Sequence, residues 1–183
     1  MRYREPGQFG GRAEPAFFNG THRACIRADG RPANKKNNAK GEISMEYRKF
    51  GNTWMVRIDR GEEILESLKK LCGDEQIRLG RVEAIGAADY AAIGVYDLAK
   101  QAYYPEEIDE FTEITGLNGS ITEMDGKPYI HLHATLADQD HVIHGGHVLE
   151  MRVGATCEMF VTALDGEVGR QKDEELGINL WTF

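Results

Sequence analysis

After residue 45 the chain repeats apolar and polar positions with the two periods of regular secondary structure. The segment Thr53–Ile58 alternates with a period of two and predicts a strand, whereas Glu62–Leu71 carries its apolar residues at helical spacing. Gly73 stands where this predicted helix should end. The other apolar segments predict further strands at Ile77–Ala88, Ala91–Tyr96, Phe111–Thr115, Gly119–Glu123, Tyr129–Leu136, His147–Val153 and Cys157–Ala163. Gly177–Trp181 predicts a last short strand or an extended tail.

A hairpin signal joins two of these strands. Asp125-Gly126 lies between the alternating segments that end at Glu123 and begin at Tyr129, and this dipeptide is typical of a tight β-turn. Many short strands with one main helix predict an α+β fold, a compact single domain with a mostly antiparallel sheet.

The first 44 residues differ in composition from the rest. They are rich in Gly, Arg and Asn without apolar periodicity, which predicts a disordered or loosely attached leader. This basic leader (residues 1–44) holds nine basic and four acidic residues, a net charge of +5, and the body (residues 45–183) holds 13 basic and 26 acidic residues, a net charge of −13. The body reads as a complete domain by itself, so Met45 is a candidate start of the native chain.

The charge division bears on nucleic acids. Affinity for DNA rests largely on Lys and Arg that neutralise phosphates, so the acidic body is a poor DNA ligand. Within the leader, Arg27–Lys36 resembles an AT-hook, whose core is Arg-Gly-Arg-Pro, but Asp29 stands where the first arginine belongs. We therefore expect only weak, salt-sensitive DNA binding, carried by basic residues of the leader: Arg23, Arg27, Arg31, Lys35 and Lys36.

The composition also bears on the compartment. There is no run of 18 apolar residues and no apolar segment of a secretory signal near the N-terminus, so no membrane association is expected. The three cysteines are widely spaced and form no C-x-x-C motif, which argues against a disulfide framework and a thiolate zinc site. We expect a cytoplasmic protein.

The histidines carry the candidate chemistry, because five of the six lie between positions 131 and 147. His131 and His133 are two apart on a predicted strand, so their side chains share a face. Gly145-Gly146 allows the next strand to approach closely and to bring His147 to the first two imidazoles.

Three imidazoles from two strands are the protein half of a metal site with an open coordination position. We expect their ring nitrogens to converge within about 4 Å of one another around one divalent ion. Zinc is the expected metal, although nitrogen ligands also suit copper, iron and nickel. His141 and His144 are expected in a loop, and either remains open as a fourth ligand.

Several motifs in this order resemble one family, the plant- and prokaryote-conserved (PPC) domain in its bacterial stand-alone type. The matching pieces lie within about residues 50–182 and comprise Gly80–Ala87, Ala92–Tyr96, Glu113–Ile121, His131–Ala134, Gly145–Val148 and Glu158–Phe160. His141, His144 and the leader depart from the family pattern.

The resemblance implies a strongly curved, mostly antiparallel sheet with one main helix, a homotrimer, and a zinc-type site at His131, His133 and His147. In plants the same domain stands behind AT-hooks that contact DNA, while the domain itself assembles subunits and recruits partners. No reaction follows from the resemblance.

Two functions therefore remain open. The first is a metal-carrying trimeric module with a DNA-associated or regulatory role and no established catalysis. The second is a small metal-dependent enzyme of hydrolase or lyase type, since a tri-histidine metal can lower the pKa of a bound water to about 7. Glu113 is the candidate base, or the partner of a metal ligand, for such an enzyme because it lies in the matching segment Glu113–Leu117. The alternative is an ordinary exposed strand glutamate.

Overall fold

The computed structural model describes residues 45–183, which form nine strands and one helix. In chain order the elements are β1 (Glu46–Phe50), β2 (Thr53–Asp59), α1 (Ile64–Glu75), β3 (Gly80–Asp97), β4 (Ala102–Ile108), β5 (Thr112–Met124), β6 (Lys127–Ala137), β7 (Ile143–Ala163), β8 (Gly169–Lys172) and β9 (Asn179–Thr182).

Seven of the strands form one sheet in the order β1-β2-β7-β6-β5-β3-β4, and every pair in it is antiparallel. The long strands β3 and β7 also pair with each other, so that β3, β5, β6 and β7 close on themselves. Strands β8 and β9 form a separate two-stranded hairpin. The predicted α+β class with a curved, mostly antiparallel sheet and one main helix is confirmed.

The core lies inside the closed part of the sheet, because alternate side chains of each strand point inward. Leu132, Ala134 and Leu136 of β6 are 0–4% exposed and belong to the buried core. The residues between them on β6 therefore face outward. This alternation puts His131 and His133 on the outer face of the sheet.

The helix α1 packs against the sheet with Ile64, Leu68 and Leu71, which are at most 1% exposed. It begins two residues later than predicted, because the Glu63 carboxylate caps it by accepting a hydrogen bond from the Glu66 amide at 2.7 Å. No helix in residues 45–183 is both long and apolar enough to cross a membrane.

The prediction that Gly73 ends the helix is wrong. Gly73 lies inside α1, and Gln76 ends it in the left-handed conformation, with φ 55°. The Asp125-Gly126 turn is confirmed, and both residues have the positive φ angles, 52° and 72°, of a tight hairpin turn.

Several predicted strands are halves of longer ones. Strands β3, β5 and β7 each join two segments that the sequence pattern separates. Strands β1, β4 and β8 were not predicted. Gly154 interrupts the apolar pattern of β7 without ending the strand. A Cβ there would lie 2.8 Å from the Asp89 backbone nitrogen of β3, so the glycine permits close strand contact.

Candidate metal centre

Strand β6 brings two imidazoles together on its outer face. His131 is half-buried and His133 is exposed, and their Nε2 atoms lie 3.2 Å apart. Two nitrogens bound tetrahedrally to zinc at 2.0–2.1 Å are about 3.3 Å apart, so this spacing suits a shared metal.

Strand β7 adds the third imidazole, because His147 pairs directly with His133 across the two antiparallel strands. The ring centroids of His147 lie 5.4 Å from those of His133 and 4.9 Å from those of His131. A Cβ on Gly146 would lie 2.8 Å from the Gly94 carbonyl oxygen, so a side chain there would push β7 away from β3. The glycine before His147 thus helps hold the third histidine in place.

The donor atoms fit a metal ion. One ring nitrogen from each of the three histidines lies within 4.8 Å of the others, somewhat wider than the expected 4 Å. In addition, His147 Nδ1 is buried and has no hydrogen-bond partner among residues 45–183. A buried nitrogen without a partner is available to a ligand. A small movement of the three side chains would bring their nitrogens to the spacing of a metal's coordination shell.

The electrostatics favour the neutral, metal-binding form of the imidazoles. Burial, together with the charges of His131 and His133, lowers the pKa of His147 to about 4. The pKa of His131 is lowered by burial, then by charge on His133 and Arg170. A histidine must be unprotonated to bind a metal. The lowered pKa values of His131 and His147 therefore keep both imidazoles in the metal-binding form at neutral pH.

An aromatic ring covers one side of the cluster. Tyr103 of β4 stacks on His147, with 4.8 Å between ring centroids and 23° between planes, and it meets Tyr96 edge-on at 5.0 Å. Gly94 of β3 leaves room for this ring, because a Cβ there would lie 3.0 Å from Tyr103 Cδ1. The sequence does not predict a role for Tyr103, because no local pattern indicates that this residue of β4 contacts His147 of β7.

The other candidate histidines do not join the three. His141 is exposed in the turn before β7, with φ 62°. His144 uses both ring nitrogens elsewhere, since Nδ1 lies 3.0 Å from Glu106 Oε1 and Nε2 lies 3.0 Å from Asp138 Oδ2. Neither is therefore positioned as a fourth ligand.

The structure does not bring Glu113 to the histidines. Glu113 pairs with Ala137, whereas Asn118 is the β5 residue opposite His133. Five residues of extended strand separate the two positions, or about 16 Å. Glu113 is exposed on β5, which fits the alternative of an ordinary strand glutamate. The candidate DNA-binding residues Arg27, Arg31, Lys35 and Lys36, and the rest of the leader, lie outside the described residues.

A family model for the Plants and Prokaryotes Conserved (PCC) domain, also abbreviated PPC, matches residues 45–165. The chain belongs to this family. The resemblance inferred from the motifs is therefore confirmed, and the match begins where the basic leader ends. The β8–β9 hairpin lies beyond the matched residues.

Three crystal structures of similar proteins extend the comparison. A metal-containing protein of Archaeoglobus fulgidus is 33% identical, with a TM-score of 0.68 over 78% of this chain and 99% of that one. A candidate DNA-binding protein of Bacteroides thetaiotaomicron is 29% identical, with a TM-score of 0.74 over 76% and 97% of the two chains. A PPC protein of Pyrococcus horikoshii is 28% identical, with a TM-score of 0.69 over 80% and 98%. No curated protein matches the chain.

Proposed function

We propose that this PCC-domain protein is a metal-carrying, self-associating regulatory module. His131, His133 and His147 hold one divalent ion per subunit, and water completes the shell. The observation that carries this proposal is the convergence of one nitrogen from each histidine within 4.8 Å. The metal-containing relative from Archaeoglobus fulgidus supports it, because it shares the fold at 33% identity.

Zinc is the metal we propose. Neutral imidazoles are good zinc ligands, and zinc accepts three protein ligands with an open fourth position. The donor set contains no thiolate and no carboxylate among the described residues, which disfavours softer and harder ions respectively.

A regulatory role is favoured over catalysis by the surroundings of the cluster. A hydrolase or lyase of this type needs a general base close to the metal-bound water. Glu113, the candidate base, lies at the other end of β5, and within the described part of the chain no carboxylate joins the three histidines. Among the described residues, the metal-binding group thus supplies no carboxylate that would serve the enzyme alternative.

Self-association as a homotrimer is the second part of the proposal. Met55 of β2, Phe160 of β7 and Ile85 of β3 form an outer apolar patch and are 48–59% exposed. Met55 lies directly opposite Phe160, and Ile85 lies opposite Glu158, two residues along β7. Exposed apolar side chains on adjacent strands are typical of a surface that a partner covers.

Association with DNA is proposed only through the basic leader. The body carries a net charge of −13, which repels phosphates, whereas the leader carries +5. The similar Bacteroides protein, a candidate for DNA binding, supports some nucleic-acid role for the family fold. We propose the leader and the body as separate units with the boundary at residue 44.

A reducing, cytoplasmic environment is proposed from the cysteines. Cys72 and Cys157 are both buried and free. Burial raises the pKa of each thiol to about 12, so neither is a reactive thiolate.

The proposal is tested by metal analysis of untagged protein purified without chelators, combined with light scattering on the same sample. We expect one zinc per subunit and the mass of a trimer. A folded protein that contains no metal and binds none when zinc is added would reject the metal-carrying role.

A further inference from the structure

An arginine from the C-terminal hairpin packs on Tyr129, which lies two residues before His131 on β6. Arg170 of β8 is fixed by two hydrogen bonds, because Nε donates to Thr122 Oγ1 at 2.7 Å and Nη1 donates to the Asn179 carbonyl at 2.8 Å. These contacts hold the guanidinium in one place. The β8–β9 hairpin that carries it lies beyond the residues that match the family model.

Tyr129 connects this guanidinium to the histidines. Arg170 Cζ lies 4.3 Å from the centroid of the Tyr129 ring. Tyr129 and His131 are two apart on β6, so they share its outer face about 7 Å apart. The Arg170 charge is also one cause of the lowered pKa of His131, in keeping with this proximity.

Among the described residues, Arg170 lacks the acidic partner that several other arginines have. Arg78, Arg81 and Arg152 each form an ion pair with a carboxylate. Arg170 forms no such pair within residues 45–183, and its Nη2 atom is buried without a hydrogen-bond partner. An enclosed charged donor without a hydrogen-bond partner is a candidate contact for a bound ion or ligand.

The metal-binding group itself carries no negative charge. Three neutral imidazoles would leave a divalent metal with its full charge, and Arg170 adds another positive charge beside it. No carboxylate of the described body belongs to the metal-binding group. An anion is therefore a far better ligand for the open position than a neutral molecule.

We propose that Arg170 makes the metal centre selective for a small carboxylate-bearing ligand, whose charge the guanidinium compensates. The inference rests on the proposed metal binding by the three histidines. A carboxylate suits the site because the guanidinium is planar and its remaining donors match carboxylate oxygens. The C-terminal hairpin thereby adds ligand selectivity to the PCC domain.

The test uses full-length protein loaded with Co²⁺, whose visible absorption reports its ligands. Acetate is titrated against acetamide, which has nearly the same shape without the charge. We expect saturable spectral changes with acetate and none with acetamide. Arg170→Gln should bind Co²⁺ with unchanged stoichiometry and weaken acetate binding by roughly tenfold or more.

Arg78→Gln is the matched control, because Arg78 is an arginine already paired with Glu123, and it should bind acetate like the wild type. If thermal melting shows that Arg170→Gln does not fold, Arg170→Lys replaces it. We expect weaker acetate binding by this variant too, because lysine lacks the paired N–H donors of the planar guanidinium. Equal acetate affinity in the folded Arg170 variant and the wild type would overturn the inference while Co²⁺ binding stands. Equal responses to acetate and acetamide would also overturn it. Failure of the wild type to bind Co²⁺ would instead reject the proposed metal site.

Discussion

His133 and His147 face each other across β6 and β7, 14 residues apart in sequence but directly paired in the antiparallel register. This pairing turns a two-histidine strand motif into a three-nitrogen cluster. A shift of one residue in the register would send His147 to the opposite face of the sheet. The strand pairing is therefore as important to the site as the histidines themselves.

The close packing of β5 against His131 predicts that Gly119 does not tolerate a larger side chain. A Cβ on Gly119 of β5 would lie 2.0 Å from the His131 carbonyl oxygen and 2.6 Å from Leu132 Cδ2. We expect Gly119→Ala to lower the free energy of unfolding by about 2 kcal/mol or more, because backbone atoms must move. The same movement should weaken zinc binding, and urea unfolding with zinc titration measures both effects.

Gly73→Ala is the control for this substitution. Gly73 is exposed inside α1, and a Cβ there meets nothing within 4 Å. Alanine should raise the free energy of unfolding by up to about 1 kcal/mol, since it loses less backbone entropy in a helix. Equal stability of the Gly119 variant and the wild type would show that β5 and β6 are not packed this closely.

The His144–Asp138 pair predicts a pH-dependent contribution to stability. The hydrogen bond to Asp138 is the main cause of a raised pKa of His144, and Glu106 adds to it. The hydrogen bond from His144 is likewise the main cause of a lowered pKa of Asp138. The His144 contribution is fully present below its unfolded pKa of about 6.5 and is lost as the pH rises through the raised folded value.

The Asp138 contribution has the opposite dependence. It is present above the unfolded aspartate pKa of about 3.9 and is lost as the pH falls through the lowered folded value. A double-mutant cycle of His144→Gln and Asp138→Asn should therefore give a larger coupling free energy at about pH 5.5 than at about pH 8.5. His141→Gln, at an exposed turn residue, is the control. A coupling that is equal at both pH values would contradict the ion pair.

The outer apolar patch predicts self-association, which one added charge should disrupt. Wild-type protein should show a mass of about three times the 20.5 kDa subunit in light scattering coupled to size exclusion. Phe160→Glu should shift the mass towards one subunit, because it places a charge between Met55 and neighbouring acidic residues. Leu98→Glu, in the exposed turn between β3 and β4, should leave the mass unchanged. A monomeric wild type at micromolar concentration, with zinc present, would reject the trimer.

The charge division predicts where DNA binding resides. Full-length protein should bind duplex DNA weakly, with affinity that falls steeply as salt increases, because the leader residues neutralise phosphates. A folded 45–183 fragment should lose this binding. Fluorescence anisotropy at several salt concentrations measures both. Tight binding by the fragment at physiological salt would move the DNA contact to the acidic body.

The sequence pattern predicted most strands because one face of each is buried. It failed at glycines, which it interpreted as ends of elements. Gly154 lies within β7, where the absent side chain lets β3 approach, and Gly73 lies within α1. A glycine alone does not reveal whether the chain turns there or packs closely against a neighbour.

The site was predictable to the extent that it is local. His131 and His133 share a face by strand geometry, and the Gly145-Gly146 pair indicated the third histidine. Arg170 and Tyr103 were missed, because their contacts depend on how distant hairpins fold over β6 and β7. Glu113 lies in a family motif, but its distance from the histidines depends on the β5–β6 register, which the motif does not reveal.

Zinc titration of His133→Ala in an isothermal calorimeter tests the central claim most directly, because His133 is the exposed member of the cluster and its removal should spare the core. His141→Ala is the matched control, since it removes a nearby imidazole that lies outside the cluster. We predict one zinc per subunit for wild type and for the control, and affinity at least about 100-fold weaker for His133→Ala, the loss of roughly 3 kcal/mol of binding free energy. Unchanged zinc binding by a folded His133→Ala protein would contradict the tri-histidine metal site.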